Sequence, residues 1–248
     1  MERMSGTGHL AKRCLAAREG TGPEILIEGP KAVSEALRDG PAPVSLIFRE
    51  GDEDALNPLE LPPGLEVHQA EGRLFAKLAG TVTPQGVLAL VPRPAFAPAD
   101  VLAGNLVLVL DGVQDPGNVG ALIRAAAAFG ASGVLVGDGS AHPYSARTVR
   151  ASAGNVLRLP VARSGDWAAL LHEHGFRLAV GVAAGGEDPA RLDWQGKWAL
   201  VLGNEGHGTA IVGDRALTLP LERGVESLNV ATAGAVLLYG MTRGRWLS

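Results

Sequence analysis

The run Leu106-Val107-Leu108-Val109-Leu110 constrains the fold of this 248-residue chain more than any other stretch. Its residues are all apolar and do not alternate with polar ones, which is typical of a strand buried on both faces of a parallel sheet. Strand-like and helix-like segments alternate after it, and this order predicts an α/β fold with helices on both faces of the sheet. Sheets of this kind bind ligands at the carboxyl ends of their strands.

Periodicity predicts two blocks of elements along the chain. The first block is a small α/β domain with strands at 24–28, 44–48, 65–68 and 87–91 and helices at 31–39 and 71–79. The second has strands at 106–110, 133–136, 156–161, 176–182, 198–202 and 216–219 and helices at 118–129, 145–153, 166–174 and 229–241. The Pro/Ala-rich run at 92–98 is typical of a stiff linker. The predicted division is therefore a first domain at 1–92, a linker at 93–104 and a second domain at 105–248.

Composition narrows the class of protein. Apolar residues make up 46% of the chain, with 34 glycines and only 5 phenylalanines, as expected for a tightly turned α/β protein with an Ala/Val/Leu interior. The one cysteine, Cys14, excludes an internal disulfide framework and favours a reducing cytoplasm. No apolar stretch predicts a secretory signal or a membrane span, so we expect a soluble cytoplasmic protein.

The distribution of charge says more about partners than the net charge of −4. No carboxylate lies between Asp138 and Asp166, yet this interval contains four arginines. Those arginines are Arg147, Arg150, Arg158 and Arg163. A local basic patch of this kind is typical of phosphate binding, and scattered solvated arginines on helix faces fit the charge pattern equally well.

Three polar loops follow predicted strands. In the first, Asn118 is predicted to cap a helix, and Arg124 stands six residues later in an otherwise apolar sequence. The second contains Glu205 within Gly203-Asn204-Glu205-Gly206-His207-Gly208, where glycines allow the backbone to approach a ligand closely. The third places Ser227 and Asn229 before the last helix. These loops predict one site at one edge of the sheet.

Other motifs lack the context that their chemistry requires. Gly6-Thr7-Gly8 resembles part of a dinucleotide-binding pattern, but no strand can precede it. His172 and His174 point to different sides of a helix, and no third ligand is near them in the sequence, so no metal site is expected.

In their residues and order, the three loops resemble the signature motifs of the SpoU (TrmH-like) RNA ribose 2′-O-methyltransferases of the SPOUT superfamily. The resemblance spans about Leu106 to Arg243, and a weaker one relates the first domain to the small RNA substrate-binding domain of many members. Arg150 matches a further arginine of the family. One departure is Ala231, where many relatives have serine.

This resemblance implies a deep trefoil knot, S-adenosyl-L-methionine as methyl donor, a homodimer, and RNA as substrate, with rRNA favoured over tRNA. Cofactor binding is implied for the backbone near Gly203, Leu219 and Leu228, and RNA binding for Arg147 and Arg150. The catalytic residues that it implies are Asn118, Arg124, Glu205, Ser227 and Asn229. Arg124 either removes the proton of the ribose hydroxyl or stabilises its developing negative charge; the high pKa of arginine favours stabilisation.

Three alternatives remain open from the sequence: a tRNA 2′-O-methyltransferase, a non-catalytic RNA-binding protein with the same fold, and a metabolic α/β enzyme that binds a nucleotide cofactor and a small substrate. Retention of Asn118, Arg124, Glu205 and Asn229 argues against the non-catalytic alternative.

Overall fold

The computed structural model describes residues 2–39 and 41–245. The chain forms two compact units, each made of separate stretches of sequence. The first unit comprises Met1–Pro94 and His142–Arg158, and the second comprises Ala95–Ala141 and Leu159–Ser248. The predicted division placed all of 105–248 in one domain, whereas residues 142–158 pack within the first unit.

The first unit contains a mixed five-stranded sheet in the order β1-β4-β3-β5-β2. Strands β1, β4 and β3 run parallel, and β5 is antiparallel to both β3 and β2. The strands are β1 (Glu2–Arg3), β2 (Glu24–Glu28), β3 (Ser45–Arg49), β4 (Glu66–Ala70) and β5 (Val87–Pro92). The helices are α1 (His9–Glu19), α2 (Pro30–Asp39), α3 (Gly72–Ala79) and α6 (Ala146–Ala151).

Small side chains hold helix α1 in the core of the first unit. Ala11, Cys14 and Ala17 lie on one face of the helix and are fully buried together with Phe75 of α3 and Leu26 of β2. Ala146 of α6 belongs to the same apolar cluster, so the stretch 142–158 is part of this core. Helix α1 was not predicted, because alanine and cysteine give its buried face little hydrophobic contrast.

The second unit contains a six-stranded sheet, all parallel, in the order β11-β9-β10-β6-β7-β8. The strands are β6 (Leu106–Asp111), β7 (Gly133–Val136), β8 (Val161–Arg163), β9 (Arg177–Gly181), β10 (Trp198–Gly203) and β11 (Arg215–Leu217). The helices are α4 (Pro98–Val101), α5 (Pro116–Ala128), α7 (Trp167–Glu173) and α8 (Val230–Thr242). The predicted α/β fold with a parallel sheet is confirmed. The trefoil knot stays a prediction.

The strand order reverses at β6. The chain continues from β6 to β7 and β8 on one side, and later adds β10 and β9 on the other side. Open parallel sheets bind ligands in the crevice at such a reversal. The carboxyl ends of β6, β10 and β11 lead into the three polar loops of the sequence.

The structure corrects one expected absence and two predicted elements. Strand β1 (Glu2–Arg3) precedes Gly6, where no strand was expected. The strand predicted at 156–161 is instead a short 3₁₀ helix at Asn155–Leu157 followed by β8, which begins only after Pro160 because proline has no N–H for the sheet ladder. The predicted linker at 93–104 contains α4, and Val101 and Leu102 are buried in the core of the second unit. No helix within residues 2–39 and 41–245 is long and apolar enough to cross a membrane.

Candidate active site

Asp115 starts helix α5, which corrects the prediction that Asn118 caps it. The Asp115 side chain accepts a hydrogen bond from the Asn118 backbone N–H at 3.0 Å, and Pro116 occupies the first helical position, which suits a residue without N–H. Asn118 is therefore the third residue of the helix. Its side chain is not used for capping and is available to other loops.

A chain of hydrogen bonds joins the three loops through Asn118. The Asn118 Nδ2 group donates to Glu205 Oε1 at 2.9 Å, and Asn229 Nδ2 donates to Asn118 Oδ1 at 3.0 Å. Asn229 Oδ1 in turn accepts from the backbone N–H groups of Ala231 and Thr232, at 2.9 and 3.3 Å, and so caps α8. The Glu205 carboxylate can only accept, so it fixes which end of the Asn118 amide faces it. The Asn118 oxygen then fixes the orientation of the Asn229 amide in the same way. Only the backbone of Ala231 takes part, so the serine of many relatives is not needed for this cap.

The second loop folds tightly over the end of β10. Asn204 and Gly208 exchange backbone hydrogen bonds of 2.9 Å in both directions, and Asn204 Nδ2 donates to the carbonyl of Gly112 at 3.1 Å. A Cβ atom at Gly203 would stand 2.3 Å from the backbone carbon of Gly208 and 2.5 Å from the nitrogen of Thr209. Only glycine fits there, because both obstructing atoms belong to the backbone.

Sequence reasoning missed Ser140, which fixes the first loop. Its hydroxyl accepts from the backbone N–H groups of Gly112 and Val113, at 2.9 and 3.0 Å, and donates to the carbonyl of Leu110 at 3.0 Å. Thr209 Oγ1 also donates to the Asp111 carboxylate, which ties the second loop to the end of β6. The sequence signal that could have identified Ser140 is its position as a polar residue shortly after β7, the strand beside β6.

A pocket with a volume of about 740 Å³ opens at the carboxyl ends of β9, β10 and β11. The predicted cofactor residues Gly203, Leu219 and Leu228 all line it. Glu205, Ser227 and Asn229 also line it, so the structure brings together six of the residues predicted for the site. The lining combines aliphatic side chains with exposed loop backbone, and this suits a ligand with both apolar and polar parts.

Three predicted arginines lie elsewhere. Arg124 is exposed on α5 and is not among the lining residues of the pocket. Each residue of an α-helix turns by about 100°, so Arg124, six residues after Asn118, is about 120° short of two full turns. The two side chains therefore point in directions about 120° apart around α5. Arg147 and Arg150 belong to α6 in the first unit, where Arg150 Nη1 contacts Glu28 Oε2 at 3.1 Å.

In the part of the chain that the structure describes, no group of three or more His, Cys, Asp or Glu side chains is placed to hold an ion.

The sequence profile of the SpoU rRNA methylase family matches residues 105–239, which include all three loops. The chain belongs to the SpoU rRNA methylase family. A second profile, that of an MRM3-like substrate binding domain, matches residues 9–89. The predicted family membership is confirmed, and this SpoU protein is a methyltransferase.

Individual relatives cover nearly the whole SpoU chain. RlmP of Bacillus subtilis, a 23S rRNA (guanosine(2553)-2′-O)-methyltransferase, is 33% identical over 221 residues, which are 87% of each chain. AviRb, a SpoU methyltransferase of Streptomyces viridochromogenes crystallised with the cofactor AdoMet, is 25% identical with a TM-score of 0.80 and covers 96% of this chain and 98% of its own. An AdoMet-bound rRNA methyltransferase of Sinorhizobium meliloti is 26% identical with a TM-score of 0.79 and covers 98% of both chains.

Proposed function

We propose that this SpoU methyltransferase transfers a methyl group from S-adenosyl-L-methionine to a ribose 2′-hydroxyl of rRNA. The observation that carries the proposal is the hydrogen-bonded chain Glu205–Asn118–Asn229, because it joins two residues that line the pocket, Glu205 and Asn229, through Asn118 of a third loop. RlmP, named for the same reaction on 23S rRNA, supports both the acceptor group and the class of RNA.

The pocket fits S-adenosyl-L-methionine in size and lining. Its volume of about 740 Å³ falls in the range of about 300–1,000 Å³ that is usual for sites of small ligands. Because Gly203 has no Cβ, the backbone of the following loop can lie against the end of β10. Leu219 and Leu228 add apolar surface to the pocket. When bound, S-adenosyl-L-methionine supplies a methyl group already activated on a sulfonium sulfur.

The protein's own residues position the acceptor. We assign Asn118 and Asn229 to the ribose, since each amide is held by a neighbour on at least one side, and Ser227 to the wall of the pocket beside them. Glu205 acts as a positioning residue through its bond to Asn118. Holding the reacting groups in the right geometry lowers the barrier without any covalent chemistry by the protein.

Arg124 is assigned to stabilise the negative charge that develops on the ribose oxygen. An arginine side chain offers N–H donors and a positive charge but no acceptor, so it stabilises negative charge more readily than it removes a proton. Because it points about 120° away from Asn118 around α5, we propose that a second copy of the chain supplies it in a homodimer.

An exposed stripe on α8 fits this homodimer. Val236 and Tyr239 are 45% and 51% exposed although both are large and apolar, and Tyr239 packs on Phe129 at the end of α5. Thr232 and Arg243 are exposed on the same stripe, which therefore runs along the helix with a polar residue at each end. Two copies related by a twofold axis would each present this same surface.

Mixing two inactive variants tests the shared site. Arg124→Ala and Asn229→Ala are expected to be inactive when pure. If Arg124 acts in the partner's site, random mixing of protomers gives one intact site in half of the dimers, which restores about a quarter of the wild-type activity. No recovery after subunit exchange, with mixed dimers verified by mass, would place Arg124 in its own chain's site.

The reaction itself is tested with methyl-labelled S-adenosyl-L-methionine and RNA from cells that lack the protein. We expect label on one ribose 2′-oxygen of rRNA, mapped by nuclease protection, and none with Asn118→Ala. Label on tRNA and not on rRNA would show that the substrate is tRNA. RNA binding without transfer, on free rRNA and on ribosomal precursor particles alike, would favour the non-catalytic alternative. Methylation of a small acceptor alone would favour a metabolic enzyme.

The first unit is assigned to RNA selection, in agreement with the substrate binding domain that matches residues 9–89. Action on rRNA would place the protein in the cytoplasm, where bacterial ribosomes are assembled. RNA recognition by shape and unpaired bases needs more surface than one catalytic pocket, and this domain provides it.

A further inference from the structure

A groove of about 230 Å³ lies within the first unit between α2 and the stretch that contains α6. Its floor is aliphatic and is formed by Leu26 and Ile27 of β2, Ala32 and Ala36 of α2, and Val149 of α6. This volume is below the range of about 300–1,000 Å³ found for sites of drug-sized ligands, so the groove suits one small planar group.

Cationic side chains surround the mouth of this groove. Lys31, Arg150 and Arg158 line it together with Glu28 and Glu35. Lys31 is exposed and forms no hydrogen bond or ion pair with any other residue that the structure describes. Its ammonium group is therefore available to a ligand.

Glu28 holds Arg150 in a defined position at this mouth. The Glu28 side chain is only 9% exposed, and both of its oxygens are used. Oε2 accepts from Arg150 Nη1 at 3.1 Å, and Oε1 accepts from Thr81 Oγ1 at 2.7 Å. The Arg150 side chain remains 49% exposed, and its guanidinium has further N–H groups besides the one that contacts Glu28.

The wall opposite α2 is kept open by its backbone. Ala153 has a φ of +49°, which is uncommon for a residue other than glycine, and Gly154 follows with a φ of +75°. The left-handed conformation of Ala153 costs conformational energy, and such residues are frequent at ligand-binding positions, whereas Gly154 adopts it without that cost. With no side chain longer than a methyl group at either residue, this wall does not obstruct the groove.

We propose that this groove binds one unpaired nucleotide of the substrate RNA, with its base on the aliphatic floor and its phosphate against Lys31 and Arg150. Sequence-independent RNA affinity comes from cations on phosphates, and bases that leave a helix are bound between apolar or aromatic surfaces. The Glu35 carboxylate accepts hydrogen bonds only, which favours a base with an exocyclic amino group. The proposal rests on the proposed function, since it presumes an RNA substrate.

Salt dependence of RNA binding tests the phosphate contact. We expect Lys31→Ala to weaken binding of the full chain to transcribed rRNA and to make the plot of log K against log salt less steep by about 0.7, the value for one phosphate of a single strand. Lys12→Ala removes an equal charge from α1, away from the groove, and is expected to leave the slope at its wild-type value. Equal slopes for the two variants would overturn the proposal.

Filling the groove tests the base. Ala32→Leu extends an aliphatic side chain into it, whereas Ser34→Leu adds the same side chain to α2 outside the groove. We expect at least a tenfold loss of RNA affinity for Ala32→Leu alone, with S-adenosyl-L-methionine binding and thermal stability like those of Ser34→Leu. Full RNA affinity in Ala32→Leu would overturn the proposal. If the wild-type chain itself neither bound nor methylated rRNA, the proposed function would fail first, which keeps the two failures distinct.

Discussion

Asn118 uses both ends of its amide, the nitrogen as a donor and the oxygen as an acceptor. It donates to Glu205 and accepts from Asn229, so an aspartate of the same shape would keep one bond and place a second carboxylate against the first. We expect Asn118→Asp to reduce methyl transfer about 100-fold, because misplacement of the reacting groups has effects of this size. This reduction is measured by comparing single-turnover rates of the variant and the wild-type chain at saturating S-adenosyl-L-methionine.

A compensating change sharpens this prediction. Glu205→Gln supplies an amide that can donate to the carboxylate introduced at position 118, so the double variant Asn118→Asp/Glu205→Gln is expected to be more active than the two separate losses predict. Residues in one hydrogen-bond network show coupling of about 0.5–3 kcal/mol in such cycles. Strictly additive losses would show that the contact between these side chains does not matter for the rate.

Two buried groups that lose a proton at high pH, a thiol and a phenol, predict how the stability of the fold changes at alkaline pH. Burial raises the pKa of the Cys14 thiol from 9.0 to about 12, and burial raises that of the Tyr144 hydroxyl from 10.0 to about 12, with nearby Arg93 opposing the shift. The folded chain therefore keeps protons that the unfolded chain releases, so stability is full below about pH 9 and falls as pH rises toward 12. The loss per pH unit is up to about 1.4 kcal/mol for each group.

Urea unfolding at fixed pH values measures this loss. Between about pH 9 and 10 Cys14 contributes more than Tyr144, because the ordinary pKa of a thiol is lower than that of a phenol, so Cys14→Ala is expected to show a smaller decrease in unfolding free energy over that interval than the wild-type chain does. Parallel decreases in the two proteins would contradict the assignment of the loss to the thiol.

At the scale of elements, the turn after β10 depends on one glycine. Gly203→Ala would bring Cβ within 2.3 Å of the Gly208 backbone, so the loop must move and the pocket must change shape. We expect S-adenosyl-L-methionine binding, measured by calorimetry, to be lost. Gly206→Ala in the same loop meets only the Asn204 side-chain oxygen at 3.3 Å, and it should bind almost normally. Similar affinities for the two variants would disprove the steric argument.

Elements whose apolar residues stand out clearly from their polar surroundings could be predicted from the sequence. The continuous apolar run of β6 and the long helix α8 are close to their predicted bounds. The helix α1 was missed because its buried face consists of Ala and Cys, and β8 was placed too early because the proline before it interrupts an apolar stretch. The resemblance predicts the candidate site residues of the three loops, whereas the cap by Asp115 and the bonds of Ser140 depend on contacts that the sequence does not show.

At the scale of the whole molecule, the first unit depends on a stretch far along the chain. Helix α6 packs on β2, and Val149 and Val156 are buried within the unit. Each fully buried aliphatic side chain contributes about 1.5–3 kcal/mol. We expect a fragment of residues 1–94 to melt at least about 5 °C lower than the same fragment joined by a flexible linker to residues 142–158.

A scrambled copy of residues 142–158 on the same linker is the matched control. It should melt like the fragment alone, because its composition is unchanged and its packing is lost. Equal melting temperatures for all three chains would mean that the first 94 residues form a complete unit.

The return of the chain to its first unit sets an order for its folding during synthesis on the ribosome. Synthesis proceeds from the amino terminus at about 5–20 residues per second, and early domains ordinarily fold before later ones are made. Here the core of the first unit is completed only when residues 142–158 have been made, and β6, α5 and β7 of the second unit emerge before that point. The nascent chain therefore exposes two unfinished cores at once, and a chaperone that covers apolar surface would be of most use in that interval.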